Sequence, residues 1–120
     1  MKAELVKSFR FDAAHALAHA PAGHKCAALH GHSYRVDVHV AGTVQEPPGW
    51  VMDFGRIAAI VRPLIDQLDH RDLTTVPGLP NSTSEHIAAW LWARIKPDLP
   101  ELSAVVVHES ETARCIYRGE

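Results

Sequence analysis

His32-Ser33-Tyr34-Arg35-Val36-Asp37-Val38-His39-Val40 alternates without a break, with Tyr34, Val36, Val38 and Val40 on one parity and Arg35, Asp37 and His39 on the other. Successive side chains of an extended chain point to opposite faces, so this stretch reads as a strand buried on one side. It runs from about His32 to Thr43, and His32 falls on the inward parity. Upstream, Leu5 to His15 repeats the pattern: Leu5, Phe9, Phe11, Ala13 and His15 share one face, while Glu4, Ser8, Arg10 and Asp12 share the other. Ala16 to Ala28, with Pro21 and Gly23, reads as the loop between the two strands.

Downstream the period changes. Asp53 reads as the N-cap of a helix to about Leu68, with Phe54, Ile57, Val61, Leu64 and Leu68 on one stripe. Pro63 is expected to bend or interrupt it. His70 to Asn81 is a loop punctuated by Pro77-Gly78 and Pro80. Ser82-Thr83-Ser84-Glu85 reads as a capping box opening a second helix that ends near Pro97. Leu102 to Glu109 and Ala113 to Arg118 read as a closing β-hairpin around Ser110-Glu111-Thr112. The order ββααββ implies an α+β fold, a four-stranded antiparallel sheet with two helices on one face, spanning residues 1–120 as a single domain. Such a sheet has two open edges, which a small protein must cover or pair, and self-association is expected.

Composition narrows the function. Of 120 residues, 47% are hydrophobic and the formal net charge is −2, an ordinary globular balance with no basic face for nucleic acid. No apolar stretch approaches a membrane span, and two cysteines make no disulfide framework, so a cytoplasmic location is expected. Nine histidines shift the expectation toward metal chemistry.

His15, at the end of the first strand, and His30 and His32, at the start of the second, can meet at one end of an antiparallel pair. Three imidazoles with an open fourth position are a common catalytic zinc site. Gly31 between two of them relieves crowding. Cys26 is either a fourth ligand or a thiol whose reactive form is favoured by Lys25 and His24. Asp69-His70 could be an acid–base pair, although adjacent residues rarely bond each other directly; the alternative is a helix-terminal histidine favoured by the macrodipole. Glu109, leaving a buried strand, could grip the paired N–H edge of a heterocycle or be a solvated strand end. Cys115 reads as an inert core thiol.

Taken together, Phe11-Asp12-Ala13-Ala14-His15, Cys26 to His32, Val51-Met52-Asp53-Phe54, Leu68-Asp69-His70, Ser82-Thr83-Ser84-Glu85 and His108-Glu109 resemble the 6-pyruvoyltetrahydropterin synthase / 6-carboxytetrahydropterin synthase family. The match covers almost the whole chain in order. The three residues between Cys26 and His30 resemble the bacterial 6-carboxy branch of queuosine biosynthesis. The resemblance implies a tunnelling fold and a Zn2+ ion on His15, His30 and His32. It makes Cys26 the proton-abstracting thiolate, His70 a relay oriented by Asp69, and Glu109 the pterin anchor that completes the relay. Thr83 and Lys25 would contact substrate. The implied substrate is 7,8-dihydroneopterin triphosphate, yielding 6-carboxytetrahydropterin with release of acetaldehyde and triphosphate. The implied assembly is a homo-hexamer, a dimer of trimers, with sites at subunit interfaces and no nucleic-acid or membrane partner. Thr74 and Ser82 depart from the family pattern, which often has Asn and Pro there. A 6-pyruvoyl product, a four-ligand zinc module closed by Cys26 and a zinc hydrolase are the rival readings.

Overall fold

Two long strands, β1 (Lys2–His15) and β2 (His30–Thr43), pair antiparallel from Lys2 opposite Thr43 to His15 opposite His30. The computed structural model describes residues 1–120. After β2 come α1 (Phe54–Leu68), α2 (Ser84–Ile95), β3 (Leu102–His108) and β4 (Arg114–Tyr117), with 3-10 turns at Lys25–Ala27 and Leu73–Thr75. All four strands form one antiparallel sheet in the order β1-β2-β3-β4.

The expected parity holds. Phe9, Phe11, Ala13 and His15 of β1 and Tyr34, Val36, Val38 and Val40 of β2 are buried. They pack with Ile57, Val61, Ile65 and Leu68 of α1 and Ile87, Trp90, Leu91 and Ile95 of α2, apart from His15, which lies at the end of this core. Each fully buried aliphatic side chain contributes about 1.5–3 kcal/mol. The helices therefore cover one sheet face and leave Ser8, Arg10, Arg35, Asp37 and His108 on the other.

Local details differ from the sequence reading. Pro63 does not interrupt α1. Both Pro63 and Ala59, whose carbonyl loses its helical donor, are exposed, so water can satisfy that oxygen. Phe54 is 48% exposed and leaves the stripe, and Ile65 rather than the half-buried Leu64 is the fully covered residue between Val61 and Leu68. At α2 the cap is Thr83, which accepts from the His86 N–H, while Ser82 is buried ahead of the helix. The N-cap thus falls one residue later than predicted, and the capping box does not form, because the third helical residue from Thr83 is His86 rather than Glu85.

Candidate active site

The β1–β2 register brings three imidazoles together. His15 stands opposite His30, and His32 stands opposite Ala13 on the same end of the pair. Ring centroids lie 4.6 Å apart for His15–His30, 5.2 Å for His15–His32 and 4.8 Å for His30–His32. Gly31 is not required for this convergence: a Cβ there would meet the Ala13 carbonyl oxygen at 3.6 Å, an ordinary contact.

Two backbone carbonyls fix the rings. His15 Nδ1 lies 2.8 Å from the Ser82 oxygen and His30 Nδ1 lies 2.7 Å from the Ala28 oxygen. A carbonyl only accepts, so each Nδ1 carries the proton and each Nε2 presents its lone pair. The Nε2 atoms of His15, His30 and His32 are all buried and make no hydrogen bond. Buried polar atoms are almost always satisfied, and three orphaned ring nitrogens at one point fit a cation. Burial lowers the His32 pKa against the pull of Glu109, and His15 and His30 add to the lowering. A neutral imidazole is the ligand form.

Glu109 joins this group, which the sequence reading did not anticipate. β3 pairs with β2 so that His108 faces Arg35, which turns the next residue, Glu109, inward beside Tyr34 and His32. Glu109 Oε1 lies 3.0 Å from His32 Nε2 and 3.7 Å from His15 Nε2. The ligand atoms of His15, His30, His32 and Glu109 all lie within 4.8 Å of one another, a group that could hold a metal ion. Cys26 stands outside it, half-buried on the Lys25–Ala27 turn. His24 Nδ1 accepts from the Cys26 N–H at 3.0 Å and caps that turn. Lys25 is exposed.

Asp69 and His70 do bond directly, at 2.9 Å between Asp69 Oδ1 and His70 Nδ1. The contact is possible between neighbours because His70 has φ 58°, a left-handed backbone that swings its ring back over the helix C-cap. The same turn is tied to β1: the Asp12 N–H donates to Asp69 Oδ1 at 3.0 Å and the His70 N–H donates to the Asp12 carbonyl at 2.6 Å. The hydrogen bond from Asp12 is the main reason the Asp69 carboxyl sits below its ordinary range; burial opposes it, and the charge and hydrogen bonds of His70 reinforce it. His70 and His32 line one cavity of about 600 Å³, with Asp12, Gly31, Ser33 and Arg71.

A second cavity, of about 340 Å³, opens on the other side of Glu109, between Ser84, Glu85, Ala113, Arg114 and Cys115. The hydroxyl that reaches Glu109 is that of Ser84, 3.3 Å from Oε2. Thr83 is engaged elsewhere, accepting from the His86 N–H and lying 2.8 Å from its Nδ1. Burial, reinforced by the charge of Glu85, raises the Cys115 pKa and keeps that thiol protonated. Ser84, Tyr34 and the carbonyls of Ala28 and Ser82 are the site groups that sequence reasoning missed. Only Tyr34 carried a signal, its inward parity two residues beyond His32.

Known proteins share this arrangement of chain. A family profile described as 6-pyruvoyl tetrahydropterin synthase matches residues 4–120. The 6-carboxy-5,6,7,8-tetrahydropterin synthase of Synechocystis sp. is 41% identical over 119 residues, covering 94% of this chain and 91% of that protein. The dihydroneopterin monophosphate aldolase of Pyrococcus furiosus is 37% identical over 100 residues, covering 83% of this chain and 81% of that protein. The solved structure of Caenorhabditis elegans 6-pyruvoyl tetrahydropterin synthase superposes with a TM-score of 0.89 at 25% identity, covering 100% of this chain and 97% of that one.

Proposed function

The chain belongs to the 6-pyruvoyl tetrahydropterin synthase family, and from that premise we propose that it is a zinc-dependent 6-carboxytetrahydropterin synthase of queuosine biosynthesis. Its substrate is 7,8-dihydroneopterin triphosphate, converted with water to 6-carboxy-5,6,7,8-tetrahydropterin, acetaldehyde and triphosphate. The observation that carries the reading is the convergence of three buried Nε2 atoms without a hydrogen bond on a point beside the cavity that His70 also lines.

His15, His30 and His32 hold the metal, with the carbonyls of Ser82 and Ala28 orienting the first two. When bound, Zn2+ supplies Lewis-acid polarisation of the side-chain oxygens of the substrate. Cys26 withdraws a proton from that side chain as the thiolate. His70 carries the opposite transfer, and Asp69, bonded to Nδ1, holds its ring so that Nε2 is the exchanging atom. The carboxylate of Glu109 anchors the pterin by pairing with its 2-amino and ring N–H donors, in the cavity it shares with Ser84. Thr83 and Lys25 are weaker substrate contacts in this scheme, since Thr83 caps α2. A homo-hexamer with sites at subunit interfaces would cover the sheet edges, and two unpaired cysteines favour the cytoplasm.

Two relatives of comparable similarity carry different names, so product identity is the deciding measurement. The purified zinc protein incubated with 7,8-dihydroneopterin triphosphate is expected to yield a 6-carboxy product by mass spectrometry, with acetaldehyde trapped in equal amount. A 6-pyruvoyl product without acetaldehyde would overturn the assignment.

A further inference from the structure

The position of Glu109 conflicts with a single role as pterin anchor. Its Oε1 lies 3.0 Å from His32 Nε2 and 3.7 Å from His15 Nε2, yet neither nitrogen makes a hydrogen bond. The His32 contact is short enough for one but lacks the in-line N–H that a hydrogen bond needs. Lone pairs that converge without bonding each other share a third party. A tetrahedral site with ligands at about 2.0–2.1 Å places its donor atoms roughly 3.3 Å apart, and the two Glu109 distances bracket that spacing. Glu109 Oε1 therefore stands at the fourth corner of the site, while Oε2 is turned toward the Ser84 hydroxyl at 3.3 Å.

We propose that Glu109 is an exchangeable fourth ligand, whose Oε1 closes the metal shell in the resting protein and leaves it when a pterin ring claims the carboxylate. The inference rests on the pterin-synthase reading above. A pterin edge offers two parallel N–H donors and needs both carboxylate oxygens, so Oε1 cannot serve ring and metal together. The side chain is 31% exposed and borders the cavity of about 340 Å³, so it has room to turn. Exchange makes the Lewis acid available only once the ring is docked. By linkage, a pterin that supplies no ligand of its own must loosen the metal by the same factor that the metal loosens the pterin.

The test uses the full-length protein, stripped and reloaded with Co2+, whose visible absorption is strong in four-coordinate sites and weak in larger shells. Metal affinity is measured by chelator competition for wild type and Glu109→Gln, with thermal melting of both apo proteins as the folding control. The expected result is about 10–100-fold weaker binding in Glu109→Gln and an altered Co2+ spectrum. Adding pterin itself, unsubstituted at the 6-position, to the wild type should move its spectrum in the same direction. Equal affinity and spectrum in wild type and Glu109→Gln would overturn the ligand assignment. A weakened Glu109→Gln with a wild-type spectrum that ignores bound pterin would make Glu109 a fixed ligand and overturn the exchange. If calorimetry detects no pterin binding, the functional reading falls and the exchange with it, while the Gln variant still judges the ligand assignment.

Discussion

His70 occupies a left-handed backbone conformation, φ 58°, at the C-terminal end of α1, a place where glycine is the usual residue. A side chain with a Cβ pays about 1–2 kcal/mol there, so the imidazole is kept against local preference. That strain is what lets adjacent Asp69 and His70 bond, and no sequence spacing reveals it. His70→Gly is expected to leave thermal stability unchanged or raise it by up to about 1 kcal/mol, because relief of strain offsets the added flexibility of the unfolded chain. Turnover should fall by about 10²–10⁴-fold, the usual range for a lost acid–base group. A variant that melts well below wild type while retaining turnover would show a structural role instead. Cys26 gives the complementary case. Its thiol stands outside the four-residue metal group, so Cys26→Ala should retain a full complement of zinc by metal analysis. Its turnover should drop by about 10²-fold or more. Loss of zinc would restore the four-ligand reading, and unchanged turnover would favour a hydrolase.

The sheet face away from the helices carries its own polar network. Asp37 accepts from the Ser8 hydroxyl at 2.6 Å and lies 2.8 Å from His108 Nε2, tying β1, β2 and β3 together across the sheet. Burial pushes the Asp37 carboxyl up, but the hydrogen bonds from Ser8 and His108 and the charges of Arg35 and His108 outweigh it and leave it below its ordinary value. A carboxyl lowered on folding contributes stability above its unfolded value, near 3.8, and loses it as the pH falls through the lower folded value. Asp37→Asn should cost about 2 kcal/mol at pH 7 in urea denaturation, and the gap to wild type should close toward pH 3. A gap that persists in acid would show that the carboxylate charge is not the stabilising feature. These elements also mark where sequence reading succeeds. Alternation in β1 and β2 carries each histidine to the correct face, and the antiparallel pairing follows from it. β3 hides its parity, because Ala104, Val105, Val106 and Val107 are all apolar and all buried, so the inward turn of Glu109 had no pattern to announce it. The cap at Thr83 rather than Ser82 was equally hidden, since either hydroxyl can accept the same kind of N–H and only the burial of Ser82 decides.

The molecule measures 57 × 23 × 22 Å, with a radius of gyration of 15.5 Å, whereas a globular chain of this length has about 14 Å. The β1–β2 ribbon accounts for the difference: β3 pairs only with Arg35 to Val40 of β2, and β1 runs the full ribbon length as an edge. In an antiparallel pair, alternate residues turn both backbone groups to the partner strand and the others turn them outward. Asp12 and Ala14 bond to His70 and Arg71 outside the sheet, so Glu4, Val6, Ser8 and Arg10 share their parity and face outward too. Four consecutive outward positions form a template for a neighbouring strand, and β4 offers a short edge on the opposite side. Pairing of β1 with β4 of another copy would close both edges at once. Native mass spectrometry is therefore expected to show a closed homo-oligomer, with turnover per chain falling as dilution dissociates it. Val6→Pro removes one outward N–H while leaving the bonds to β2 in place, and Val6 is 45% exposed, so the fold tolerates the ring at that edge. That variant should keep its far-ultraviolet circular dichroism and shift toward monomer, losing activity in proportion. A monomeric wild type, or a monomeric Val6→Pro with full turnover, would mean that one chain completes the site by itself.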